Sequence, residues 1–332
     1  MPQAVDFSFS PPNYECLSHN GVELGIVYTS IGPSNKNINK IKADAMLPWV
    51  DIAIVFEETA GHMLGGSTAG HAAAVASLEM ARAAGAPIGI GHYFCLDIDP
   101  NSLTASQRIL AEDHLSGRLP AAEDAQWDAV VRYPDGRTAP VMLTGSQWAA
   151  VGGYLDAAKA YLDPRGDFAG LYAGYLGIEK MVGLHVPLGY QTYAWSGGRV
   201  SAKAHLYQYR NGQSFCGGLV DYDEIRIRPY MGWKEANEVA LDYAETVKAV
   251  VDGLNKAAGD NTHEFGVTGD RVKLANEKLD TLVDKVAALL AAWERGITVN
   301  VDVAQLAAAI TEVLGADLAI KVAEELRRRL AE

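Results

Sequence analysis

The sequence is short of positive charge. It carries 28 Lys and Arg against 41 Asp and Glu, a formal net charge of -13 at pH 7, and a chain of that sign offers no basic face to a phosphate backbone, which argues against a nucleic-acid partner. The one run of cations, Arg327-Arg328-Arg329, ends a helical stripe, where positive charge suits the helix dipole. Long apolar runs are missing too. No stretch reaches the ~18 residues of a membrane span, and Met1 to Asp6 lacks the basic start and apolar middle of a signal peptide, so synthesis as a soluble cytoplasmic protein is expected. Cysteine is scarce: Cys16, Cys95 and Cys216 are odd in number and widely spaced, which fits neither a disulfide framework nor a zinc site, and all three read as ordinary small residues. The glycine-rich segment Thr59 to Gly66 lacks the order of a phosphate loop. No cofactor is expected.

What is present is core. With 332 residues, 49% of them hydrophobic, the chain can bury one large domain plus an appendage, or two ordinary domains. Its organising stretch runs from Gly89 to Pro100, an apolar run that ends in Asp97 and Asp99. On one continuous strand these two share a face; the alternative is that they cap the turn before the next helix. Asp51 to Glu58 repeats the design, a β-branched run closed by acids, and Ala4 to Phe9 places Asp6 in a short opening strand.

Helices are expected over residues 39–49, 104–115 and 144–162, the last opened by Thr144 and Gln147 as a capping box. Ser67 or Thr68 is expected to cap a long alanine-rich helix that stops at Gly85. Pro134-Asp135-Gly136 between β-rich runs reads as a hairpin turn decorating the fold. Strands at residues 167–172, 190–195, 205–209 and 217–225 follow with little helix between them. The pattern is that of an α/β fold, a TIM-like (β/α) barrel with a helix-poor second half. Aromatic residues gather at the late strand ends, among them Tyr172, Tyr193 and Trp195, where flat rings can stack on sugar faces.

In this order, Val5-Asp6-Phe7-Ser8, Asp51 to Glu57, Tyr93-Phe94-Cys95-Leu96-Asp97-Ile98-Asp99, Leu171-Tyr172-Ala173-Gly174, Ala194-Trp195 and Leu206-Tyr207-Gln208-Tyr209 through Val220-Asp221 resemble the family 25 glycoside hydrolases, the lysozyme-like muramidases. The chain is more similar still to the glycoside hydrolase-like domain of actinobacterial proteins and actinophage lysins. The resemblance implies a peptidoglycan-cleaving enzyme without cofactor or metal, made in the host cytoplasm and acting at the bacterial cell wall. It implies catalytic roles for Asp6, Asp97, Asp99 and Asp221, and substrate contacts from Tyr93, Tyr172, Tyr193, Trp195 and Gln208. One position departs from the family motif: Asp99 stands where the muramidases carry their catalytic Glu, which makes Glu57 a rival general acid. The alternatives are a sugar-binding module that has lost catalysis and, for the acid cluster, an oxygen-loving ion such as calcium or magnesium.

Composition divides the chain into a barrel over residues 1–229, a helical linker over 230–263 and a helical segment over 264–332. Val272, Ala275, Leu279, Leu282, Val286, Leu289 and Trp293 follow an a/d pattern, and further stripes continue beyond them. Residues 272–330 therefore either pack back on the barrel or join copies of the chain.

Overall fold

A computed structural model of the chain describes residues 2–118 and 127–236. The helical stripes expected over 272–330, and most of the linker, lie outside the described residues.

Eight strands close a barrel. They are β1 (Ala4–Asp6), β2 (Leu24–Thr29), β3 (Asp51–Phe56), β4 (Gly91–Cys95), β8 (Phe168–Ala173), β9 (Leu188–Thr192), β10 (Leu206–Phe215) and β11 (Gly218–Ile225). Around the barrel β1 neighbours β2 and β11; β2 to β4, then β8 to β10, run parallel, and β11 closes the ring antiparallel to both β10 and β1. The first half is wound with α1 (Tyr14–His19), α2 (Lys40–Met46) and α3 (Gly66–Ala83), and α5 (Gly145–Leu162) precedes β8. Among the described residues only the short α6 (Tyr175–Met181) intervenes between β8 and β11, which is the helix-poor second half that the sequence leads one to expect.

Side chains alternate in and out of the barrel as period two requires. Ala4, Leu24, Ile26, Ala53, Val55, Tyr93, Leu188, Tyr190 and Leu206 fill its interior, while Val5, Ile52 and Ile54 pack outward under the helices. Continuing the inward series towards the strand ends reaches Asp6 on β1, Tyr28 on β2, Glu57 after β3 and Tyr172 on β8. The apolar layers thus give way to polar ones at the carboxyl mouth, where barrels of this kind do chemistry.

Local signals explain the helix ends. Thr104 and Thr144 each cap a helix in a reciprocal box with Gln107 and Gln147, at the start of α4 (Ala105–Leu115) and of α5. Asn39 caps α2. Neither Ser67 nor Thr68 caps α3: that helix begins at Gly66 without a side-chain cap, and the Ser67 hydroxyl donates instead to Gly153 O at 3.1 Å. Helices α3 and α5 approach so closely that a Cβ on Gly70 would meet the Tyr154 carbonyl oxygen at 2.1 Å. Serine is spent on that crossing rather than on the cap.

The organising strand is not continuous. β4 ends at Cys95, Leu96 N still donates to Tyr172 O, and then β5 (Asp97–Ile98) leaves the barrel to pair with β6 (Ala129–Arg132). With β7 (Thr138–Val141), these form a separate three-stranded sheet, so the Pro-Asp-Gly hairpin does more than decorate: it draws off the end of the central strand. Gly61 backs the departure, with N–H donating to Asp97 O and no room for a Cβ, which would meet that of Asp99 at 2.8 Å.

Two further findings differ from expectation. Cys16 and Cys216 are not separate small residues but a disulfide joining α1 to the β10–β11 turn; Cys95 remains a free thiol. The partners are 200 residues apart in sequence, and only barrel closure sets the first helix beside the last hairpin, so spacing along the chain carries no trace of the pairing. The compact unit holding the barrel also spans Met1–Glu238, past the boundary drawn at 229. Tyr230 and Met231 enter the barrel interior from its amino-terminal end, Trp233 and Ala236 are buried beside it, and Gly91 N donates to Met231 O.

Candidate functional site

A cavity of about 400 Å³ opens at the carboxyl mouth. Asp6, Tyr28, Tyr172, Gln208 and Asp221 line it from the barrel strands, Lys36 and Glu57 from the loops after β2 and β3. Val130, Arg132, Thr138 and Pro140 of the inserted sheet form one wall, and Phe9, Trp195 and Asn211 also line it.

On the tyrosine side, Asp6 and Asp221 are direct partners across the β1–β11 ladder. Gln208 Nε2 donates to Asp6 Oδ2 and to Asp221 Oδ2, each at 3.1 Å, while its Oε1 accepts from Tyr172 Oη at 2.9 Å and Thr192 Oγ1 at 2.6 Å. Both amide hydrogens and both oxygen lone pairs are used, which fixes the amide and sets the two carboxylates within the reach of one nitrogen. Asp6 also accepts from Tyr28 Oη at 2.7 Å and lies 3.2 Å from Tyr190 Oη. Burial, then the charge of Asp221, raises Asp6 to about 7 against the opposing hydrogen bonds of Tyr28 and Tyr190. Asp221 is raised as well, by burial, opposed by the Gly212 N–H that donates to it.

The cation side is built differently. Glu57 has one oxygen 2.9 Å from Lys36 Nζ and the other 3.0 Å from Arg132 Nη1. Arg132 Nε sits 3.1 Å from Asp97 Oδ2, an ion pair outside hydrogen-bonding geometry. Asp97 is buried beneath Arg132, off the cavity lining, and burial lifts it to about 6; Arg132 opposes the rise and Glu57 adds to it.

Of the residues singled out from sequence, Asp6, Glu57, Asp221, Tyr172, Trp195 and Gln208 therefore meet in one cavity. Asp97 lies behind it. Asp99 does not reach it: its carboxylate accepts from Asn101 N at 2.6 Å and caps a short 3-10 turn, the alternative weighed for it above. Tyr93 points into the barrel and donates to Tyr230 O, and Tyr193 does not line the cavity. Sequence reasoning passes over Tyr28, and it leaves Tyr190 among the late-strand aromatics and Asp223 in an acid-bearing strand without giving either a place in the site. Alternation could have found all three, since Tyr28 continues Leu24 and Ile26, Tyr190 follows Leu188, and Asp223 lies two residues beyond Asp221. Lys36 and Arg132, on a loop and an inserted strand, carry no such signal. Among the described residues no group of three or more His, Cys, Asp or Glu is arranged to hold a metal ion, and no helix is long and apolar enough to cross a membrane.

No family model matches the chain, and no curated protein does. Solved structures do. The chain is similar to the Tat-secreted protein Rv2525c of Mycobacterium tuberculosis, determined in complex with L-tartrate, at 18% identity and a TM-score of 0.51, over 69% of this chain and 98% of that one. It is also similar to GHIP, a glycosyl hydrolase 25 of Streptococcus pneumoniae, at 15% identity and a TM-score of 0.40, covering 70% and 89%. A family 25 glycosyl hydrolase from Bacillus anthracis follows at 10% identity and 0.41, covering 68% and 89%. The likeness to Rv2525c is one of fold: an α/β barrel shared almost end to end.

Proposed function

We propose that the protein is a peptidoglycan-directed glycoside hydrolase of the N-acetylmuramidase kind, a phage lysin made in the host cytoplasm and acting at the cell wall. The observation that carries this reading is the pair Asp6 and Asp221, two raised carboxyls held by one Gln208 amide on the floor of a cavity. Glycosidic cleavage needs one carboxyl to protonate the leaving oxygen and another, ionised, to stabilise or attack the oxocarbenium-like centre. A group raised to about 7 exists in both forms near neutral pH, which suits Asp6 to proton transfer. The sequence resemblance supplies the substrate class, Phe9 and Trp195 offer rings beside the acids, and the Cys16–Cys216 disulfide suits an oxidising space outside the cytoplasm. Self-association through residues 272–330 belongs to the same proposal.

Muropeptide analysis of digested actinobacterial wall tests it. New reducing ends on muramic acid are the expected product; intact glycan with bound protein favours a sugar-binding module instead. That second reading draws on Asp99, which is turned away into a cap, and on Glu57, whose oxygens are both taken by cations.

A further inference from the structure

Three oxygens at the base of the tyrosine side share too few hydrogens. Tyr190 Oη lies 2.7 Å from Asp223 Oδ1 and 3.2 Å from Asp6 Oδ2, yet a phenol has a single hydrogen to donate. If both aspartates were ionised, one of these buried contacts would set lone pair against lone pair. The missing hydrogen must sit on one of the carboxyls.

Their surroundings decide which. Asp6 lines the cavity and receives donors from Tyr28 and Gln208, both of which favour its ionised form. Asp223 has 0% exposure, and its Oδ2 has no hydrogen-bond partner. The titratable groups that face it are Asp6 from β1, Tyr190 from β9, Tyr209 from β10 and Asp221 from its own strand, with Tyr28 and Tyr172 behind Tyr190, so every one is an acid. The cations of the mouth, Lys36 and Arg132, are engaged by Glu57 and Asp97. A carboxylate buried among acids, with one oxygen unpartnered, is costly to charge.

We propose that Asp223 is held as a neutral carboxylic acid at neutral pH, donating its proton to Tyr190 Oη so that Tyr190 in turn donates to Asp6 Oδ2. Asp223 is then a positioning residue: it directs the tyrosine hydrogen at Asp6 and adds no negative charge beside it. Burial and the charges of Asp6 and Asp221 push Asp223 well above the usual carboxylate range, against the Tyr190 hydrogen bond and the Asp6 backbone N–H. The importance of this arrangement for turnover rests on Asp6 being the reactive acid; the protonation itself does not.

Carboxyl carbon NMR of the full chain with labelled aspartate tests it, with Asp223→Asn and Tyr190→Phe assigning the signals. Asp223 should show the shift of a protonated acid at pH 7. Asp223→Asn should leave the midpoint of Asp6 within about half a unit, because an amide N–H replaces the acid O–H and no charge is removed, whereas losing a neighbouring charge would lower that midpoint by ~1 unit or more. A carboxylate shift at pH 7, or a fall in the Asp6 midpoint beyond about half a unit in Asp223→Asn, overturns the proposal. Should that variant fail to fold, Tyr190→Phe picks out the Asp6 and Asp223 signals as the pair it moves, and Asp6→Asn, which removes one of them, assigns the other to Asp223 in the wild-type spectrum. Absence of wall cleavage with a protonated Asp223 would remove the hydrolase reading and leave this one standing.

Discussion

At the amino-terminal end of the barrel Asp51 accepts from Ile52 N at 2.7 Å, Lys234 N at 2.6 Å and Tyr230 Oη at 3.0 Å. At the carboxyl end Asp6 accepts only from side chains, Tyr28, Tyr190 and Gln208. Both aspartates are buried and both are raised, burial being the first cause in each. Burial alone therefore does not mark a reactive carboxyl. Asp51 answers backbone N–H groups, ties the segment after β11 to the start of β3, and does not line the cavity at the carboxyl mouth. Asp6 faces a second acid across the ladder and a cavity wide enough for a ligand, so its proton has somewhere to go.

The largest test of this contrast removes the amino-terminal plug. Ending the chain at 229 exposes the pockets filled by Tyr230, Met231 and Trp233, each worth about 1.5–3 kcal/mol of burial, and strips Asp51 of two of its donors. That loss approaches the ~5–15 kcal/mol of a whole domain. A fragment of residues 1–229 should unfold without a cooperative transition in calorimetry, and one of residues 1–238 with one; two equally cooperative fragments would show that the plug is dispensable.

Next in size, Asp6→Asn should lower wall cleavage by ~10²–10⁴-fold with the circular dichroism spectrum unchanged. The sign of its stability effect follows from linkage. The folded value, about 7, lies above the ordinary carboxylate value of 3.8, so the folded state holds the extra proton. The stabilisation this gives is complete at low pH and drains away as pH rises through that window. Asp6→Asn should therefore melt above wild type at pH 8 and level with it at pH 4. A variant that melts lower at both would make Asp6 a structural acid like Asp51.

Much of this contrast is legible in the sequence. Acids at strand ends, ordered by the family resemblance, bring Asp6, Asp221 and Glu57 to one mouth, and the Thr144–Gln147 box and the Pro-Asp-Gly turn mark α5 and the inserted hairpin without tertiary help. Asp97 and Asp99 are where that reasoning fails. Their shared face requires one continuous strand, and pairing of Asp97 with Val130, more than thirty positions on, overrides it. Local pattern cannot register a competitor for a strand edge, just as it cannot register the closure that unites Cys16 and Cys216.

The disulfide gives the third test. It secures the hairpin that carries Asp221 at the mouth, and Cys216→Ser should cost about 2–5 kcal/mol, read as a lower denaturant midpoint. An equal loss on adding reductant to the wild type would attribute the effect to the bond rather than to the serine. The smallest effect is expected at Asp99. Because asparagine caps about as well as aspartate, Asp99→Asn should change stability by no more than ~0.5 kcal/mol, and its wall cleavage should match wild type. A deep loss of cleavage would mean that Asp99 leaves its cap when substrate arrives.

The break after Cys95 also bears on how such a protein diversifies. Because β5 abandons the ring, the barrel closes through β4 and β8 without the inserted sheet, whose link to it is short. The Arg132 face of that sheet can thus change sequence while the ring stays shut, its other face being held through Ile98, Val131 and Val141 in the core they share with Phe56 and Phe94. Arg132 and its neighbours are a replaceable panel in the cavity wall, and selection can recut ligand preference there while Asp6, Gln208 and Asp221 stay in place.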